Sequence, residues 1–179
     1  NACQRLKQTY PEYNFVPVYW MASEDHDFEE ISHFRLNGKK LEWKTNQQGA
    51  VGRFHLKEMN SIFEQVIGMP QFFVEAYQKK NLAAAVRHYV NALFGDKGLV
   101  IVDADDRQLK HLFKPVITAD LFDHSPQKEA QHTTEQLEKI GYSTQVFPRE
   151  INLFYLKENI RARIVKAEGA YEVLGTDIR

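Results

Sequence analysis

The stretch Val18–Glu30, "VYWMASEDHDFEE", decides how the fold is read. With the preceding "NFVP" it opens as a short apolar run, rich in Val and aromatics, of the kind that forms a fully buried strand over 14–22. Acid follows at once: Glu24, Asp25, Asp27, Glu29 and Glu30, interrupted only by His26 and Phe28. Ser23 or Asp25 suits the cap of a following helix, and acids in a first turn complement the helix dipole. A strand running into a capped helix is half of a β-α unit. The stretch "KGLVIVDADD" (97–106) repeats the pattern, with a second buried strand over 99–103 that ends in Asp103, Asp105 and Asp106.

Working outward, "FRLNGKKLEWK" (34–44) predicts a hairpin, because Asn-Gly is the preferred type I′ turn pair. "NQQGAVGRF" (46–54) reads as a glycine-bearing loop. "LKEMNSIFEQVIG" and "PQFFVEAYQKKNLAAAVRHYVNALFG" read as helices, broken at Gly68-Met69-Pro70 and near Asn81. Helical segments follow at 105–113 and 115–122. "SPQKEAQHTTEQLEKIG" is a stronger helix, with Ser125 as cap, Pro126 at the first position and Gly141 as the stop. A third strand, over 143–147, leads into "FPRE", and the C-terminal part contains two hairpins. The sum is an α/β fold: a mostly parallel sheet flanked by helices, with a β-hairpin and helical insertion and antiparallel C-terminal strands.

Composition narrows the classes. Of 179 residues, 43% are hydrophobic and 26% charged, as in an ordinary globular domain. A net charge of −1 gives no global field for nucleic acid or an anionic membrane, and neither is expected as a partner. No apolar run approaches the roughly 20 residues of a membrane span, and "NACQRLKQTY" lacks the apolar core of a signal peptide. The single cysteine, Cys3, excludes an internal disulfide and reads as a packing residue. A cytoplasmic protein is expected. The chain starts at Asn inside a helix-like stretch, which reads as a piece of something longer.

In open α/β sheets, ligands bind outside the C-terminal ends of the strands. "SEDHD", "DADD" and "FPRE" follow the three expected strand ends, so one composite edge is predicted. Placed on one helix, His26 would face Glu29 and Glu30, which in turn would face His33. A neighbouring acid would fix the tautomer of His26 or favour its protonation, making it a general base or an anion contact. The bland alternative is an acid-rich helix start with surface histidines. A metal site is the sharper one, since His26 and Glu30 have i,i+4 spacing. Yet His26 and His33 would lie about 10 Å apart along a helix, and the pattern is not HExxH; no metal is predicted. Asp103 and Asp105 suit a ribose or an ammonium group, or simply cap the next helix. Arg149 is either a clamp for a carboxylate or phosphate, or a surface ion pair with Glu150. "GAVGR" (49–53) is neither GxGxxG nor a P-loop.

Three stretches, "PVYWMASEDHDFEEI", "LFGDKGLVIVDADDRQLK" and "TQVFPREINLFYL", together resemble the bacterial BshC family, the cysteine ligases of bacillithiol biosynthesis. The resemblance runs in order along nearly the whole chain, and the first and third blocks are specific together. It implies a Rossmann-like core with connecting insertions, one of them at about 34–80, and in whole members a coiled coil and a homodimer. It implies an amide-forming enzyme that joins cysteine to glucosaminyl malate. Whole members are much longer, and the glycine-rich first strand and the coiled coil lie outside these residues. The chain therefore reads as a partial Rossmann-like core over 1–179, inactive alone. On this reading Glu24, Asp25, His26 and Asp27 are catalytic, and Asp103, Asp105, Gln145, Arg149 and Asn152 hold substrate or cofactor. ATP or another nucleotide is what ligase chemistry implies. The alternatives are a non-catalytic α/β interaction module, or a metal-dependent hydrolase using the His26/Glu30 region.

Overall fold

The computed structural model describes residues 1–63, 66 and 68–179, which form two compact units, 1–105 and 106–179. In the first unit, β1 (Val18–Met21) and β4 (Val100–Asp103) pair in parallel, with Val18 opposite Val100 and Met21 opposite Asp103. Both predicted strands thus exist and end together. Their burial does not match the expectation: Met21 is 2% exposed, but Trp20 is 59% exposed. Two strands that pair only with each other, among the described residues, leave most of both faces uncovered.

The core of this unit lies elsewhere. Leu41, Trp43, Val51, Phe54, Leu56, Met59, Ile62, Ala76 and Ala85 form it, drawn from the hairpin, the loop after it and three helices. The hairpin is β2 (His33–Leu36) and β3 (Lys39–Glu42), turning at Asn37 and Gly38, whose φ values of 50° and 78° are those a type I′ turn requires. Trp43 follows it, packed T-shaped against both Phe28 and Phe54. Its indole N–H is buried and has no hydrogen-bond acceptor among the described residues.

The helix expected over 56–68 begins as a 3-10 turn, Lys57–Met59, and continues as α3 (Asn60–Phe63); Glu64, Gln65 and Ile67 lie outside the described residues. Beyond Pro70 come α4 (Gln71–Ala76) and α5 (Leu82–Phe94). The break near Asn81 has a clear cause: its side chain accepts from Ala84 N–H at 3.0 Å and caps α5. Ala76 and Ala85, both fully buried, keep the two helices close.

In the second unit, Asp106 caps α6 (Arg107–Leu112) by accepting from the N–H groups of Gln108 and Leu109. Then follow α7 (Lys114–Thr118), a π-helical turn (Ala119–Asp123) and α8 (Ser125–Lys139). Ser125 is not the cap. It is the first helical residue, preceded by His124 at φ 52°, and no side chain bonds the helix start. β5 (Phe154–Lys157), β6 (Ile160–Ala167) and β7 (Ala170–Val173) form an antiparallel meander, the two predicted C-terminal hairpins. The strand expected over 143–147 is absent: residues 142–149 carry no strand pairing. Val146 and Phe147 stay exposed, and Pro148 cannot donate to a ladder. A β-favouring composition does not make a strand without a partner.

Candidate functional site

The C-terminal ends of β1 and β4 carry the most ordered polar cluster of the first unit. Ser23, 5% exposed, donates its hydroxyl to Asp103 Oδ1 at 2.5 Å. Asp103 Oδ1 also accepts from Asp105 N–H at 3.1 Å, and Oδ2 accepts from Arg87 at 3.3 Å. Asp105 is gripped by Arg53 through two bonds, Nε to Oδ2 at 2.6 Å and Nη2 to Oδ1 at 2.8 Å. This fork-to-fork pair raises the Arg53 pKa above its ordinary value, chiefly through the hydrogen bond to Asp105; partial burial opposes the shift, and the charges of Asp105 and Glu24 add to it.

The loop "GAVGR" is what brings Arg53 here. Val51 N–H donates to Asp25 O at 2.7 Å and Gly52 N–H to Ser23 O at 2.9 Å, laying the loop along the acid turn. Gly52 is obligatory at this approach: a Cβ would lie 2.6 Å from both Cβ and O of Ser23. Leu82 N–H bonds Phe54 O at 3.0 Å, tying α5, which carries Arg87, to the same loop. The loop matches no phosphate motif, and the partner of Arg53 lies 52 residues away. The informative signal was an arginine following a glycine, and its partner was not identifiable from spacing.

The four residues expected to be catalytic sit on the turn above this frame. They are not on a helix as expected. α2 (Phe28–Ile31) is one turn long, with Asp27 as its cap position and no side-chain cap bond, and His33 opens β2. The helical facing of His26, Glu29, Glu30 and His33 is therefore lost, and with it the spacing on which the metal reading rested. Among the described residues no three His, Cys, Asp or Glu side chains gather as a metal site. Asp25 instead organises the turn. Its Oδ1 accepts from His26 N–H at 2.7 Å and Asp27 N–H at 3.4 Å, and lies 3.2 Å from His26 Nδ1. A ring that donates Nδ1–H to Asp25 keeps its basic lone pair on Nε2. The imidazole is 61% exposed, so a small molecule has access to it.

Asp103 and Asp105 stand where they were expected, but as members of the frame: Ser23, Arg87 and Arg53 occupy their carboxylates. Gln145, Arg149 and Asn152 belong to the second unit. Gln145 is exposed in the 142–149 segment, its amide bonded to Ser143 Oγ at 3.0 Å. Arg149 is exposed as well, and Glu150 pairs with His124 at 3.2 Å rather than with Arg149, as the surface-pair alternative had it. Asn152 donates from its amide to Asp120 Oδ1 at 3.2 Å and to Arg149 O at 3.2 Å. A cavity of about 630 Å³ also lies in the first unit, lined by Phe34, Trp43, Met59, Phe73, Tyr77 and Tyr89. Its lining is mostly apolar and offers little for acid–base chemistry.

A family model described as "Bacillithiol biosynthesis BshC, N-terminal Rossmann-like domain" matches residues 1–179. The chain belongs to the BshC family. The domain is Rossmann-like, and the parallel β1–β4 pair is its visible sheet. Relatives named "Putative cysteine ligase BshC" include one from Flavobacterium psychrophilum, 46% identical across 99% of this chain and 35% of its own length. Another, from Cytophaga hutchinsonii, is 44% identical across 98% of this chain and 34% of its own length. The chain thus spans about a third of the curated relatives it matches. No helix among the described residues is long and apolar enough to cross a membrane.

Proposed function

We propose that this BshC chain forms part of a carbon–nitrogen ligase of bacillithiol biosynthesis that joins cysteine to glucosaminyl malate, with the turn Ser23–Asp27 as its reacting edge. The observation that carries this reading is the Asp25–His26 pair held over the Ser23–Asp103 and Arg53–Asp105 frame at two parallel strand ends. Asp25 orients the ring, His26 Nε2 takes the proton of the attacking amine, and Glu24 and Asp27 supply the negative field that favours an ammonium group nearby. Arg149 serves as the anion contact, its guanidinium shaped for a carboxylate or phosphate. Amide formation from a free carboxylate needs activation, which a nucleotide such as ATP supplies in ligase chemistry. The carboxylates of Asp103 and Asp105 are already bonded within the frame and do not fit a ribose, so no step is assigned to a nucleotide here. In the whole protein a homodimer accompanies this reading, and the insertion at about 34–80 stands as its connecting segment.

Product analysis tests it. Whole protein given cysteine, glucosaminyl malate and each candidate nucleotide should yield bacillithiol by mass spectrometry. His26→Ala should lower turnover by about 10²–10⁴-fold with an unchanged melting temperature. Product at the wild-type rate from His26→Ala would return the turn to the interaction-module reading.

A further inference from the structure

The "PREIN" stretch of the second unit is held from two sides by residues that no part of the proposed chemistry uses. Asp120, 3% exposed, sits in the π-helical turn and accepts from Asn152 twice: from its backbone N–H at 2.9 Å and its amide at 3.2 Å. Both oxygens of a buried carboxylate are thereby satisfied, which is what permits its burial. The same Asn152 amide bonds Arg149 O, and Ile151 between them is buried. On the other side, His124 faces Glu150 with both ring nitrogens, Nδ1 at 3.0 Å from the backbone carbonyl and Nε2 at 3.2 Å from Oε1. His124 takes the left-handed conformation just after the π turn, where its N–H closes onto Ala119 O. π turns and non-glycine left-handed residues are uncommon, and they persist where surrounding contacts hold them.

Each residue from 149 to 152 thus has a fixed point, whereas the Arg149 side chain is exposed and has no partner among the described residues. We propose that Asp120 and His124 are positioning residues for Arg149, and that His124 works by taking Glu150 away from it. Glu150 is the covalent neighbour of Arg149 and the carboxylate best placed to neutralise it. Bonded to His124, Glu150 leaves the guanidinium to an incoming carboxylate or phosphate. This rests on the reading of Arg149 as an anion contact.

The test is calorimetric titration of the whole protein with glucosaminyl malate, with a thermal melt of every variant. Arg149→Ala should weaken binding about tenfold or more, the loss of a charge-assisted contact. His124→Ala should weaken it by a similar factor, and in the Arg149→Ala background should weaken it no further. His124→Ala combined with Glu150→Gln should recover most of the affinity, because the competing carboxylate is gone; a merely structural histidine would not be rescued this way. Asp120→Asn should also weaken binding, with a lowered melting temperature. If Arg149→Ala weakens binding and His124→Ala does not, the positioning role is overturned while the Arg149 reading stands. If Arg149→Ala binds normally, both fall. Should His124→Ala fail to fold, His124→Phe, which keeps the ring but has no donor for Glu150, carries the same comparison.

Discussion

The two units spend their polar residues in opposite ways. In residues 1–105 the charged groups at the strand ends are paired to one another across long stretches of chain, and twelve of the buried hydrophobic residues belong to the same unit. In residues 106–179 only Ile151 and Val173 are buried hydrophobics, while Leu112, Phe113, Phe122, Ile140, Tyr142 and Phe147 are exposed. The first unit carries its polar cluster beside a packed core; the second holds one polar turn by a few hydrogen bonds over a thin one. A site of the first kind tolerates little change in shape, whereas one of the second kind depends on individual bonds.

The sharpest way to break this contrast is with two glycines. Gly52→Ala puts a methyl group into Ser23 backbone, so unfolding in urea should show a loss of about 3 kcal/mol. Gly141→Ala meets open space and faces only its φ of 92°, so the loss should be about 1 kcal/mol. Equal losses would mean that the Ser23–Gly52 contact is not tight.

A smaller effect separates the two arginines of the frame. Arg53 and Asp105 are 34% and 13% exposed, between a surface and a buried pair, so Arg53→Ala should cost about 2 kcal/mol and depend weakly on salt. Arg87 is half exposed and makes one long bond, so Arg87→Ala should cost under about 1 kcal/mol, and less still at high salt. Denaturation at low and high ionic strength checks both.

The last effect is confined to alkaline pH. Burial, with smaller contributions from Tyr77 and Tyr19, lifts the Tyr89 phenol from its ordinary 10.0 to about 12. Between those values the unfolded chain has released a proton that the folded chain retains, so stability falls as pH rises from about 10 to 12. Tyr89→Phe should remove that part of the fall, leaving a shallower decline in urea stability across the same window, and no pH-dependent difference from wild type near neutrality.

Much of the first unit was legible because its signals are local. Asn37-Gly38 specifies its turn by two left-handed residues, Asn81 caps α5 with its own side chain, and the runs "VYWM" and "VIVD" are strands by composition. The misreadings share a different cause. Whether His26 joins a helix is settled by Asp25, which bonds the His26 and Asp27 N–H groups and delays the helix to Phe28. Whether 143–147 pairs depends on a neighbour that no local pattern announces. The roles of Arg53, Arg87 and Asp120 are not legible locally, because their partners lie 52, 16 and 32 residues away, where spacing carries no information.

The parallel register of Val18–Met21 with Val100–Asp103 also sets an order of events. Ser23 and Asp103 are separated by 80 residues, and closing so long a flexible loop costs about 4 kcal/mol of chain entropy before any contact offsets it. Helices and the Asn37-Gly38 hairpin form from near neighbours and go first; the strand pair must wait for them to shorten the path. During synthesis the wait is literal: at ordinary elongation rates, roughly 4–16 s pass between the emergence of Ser23 and that of Asp103. The Ser23–Asp27 turn and the frame beneath it are thus completed late in folding, and a chain halted before Asp103 holds the acid turn without the frame that orders it.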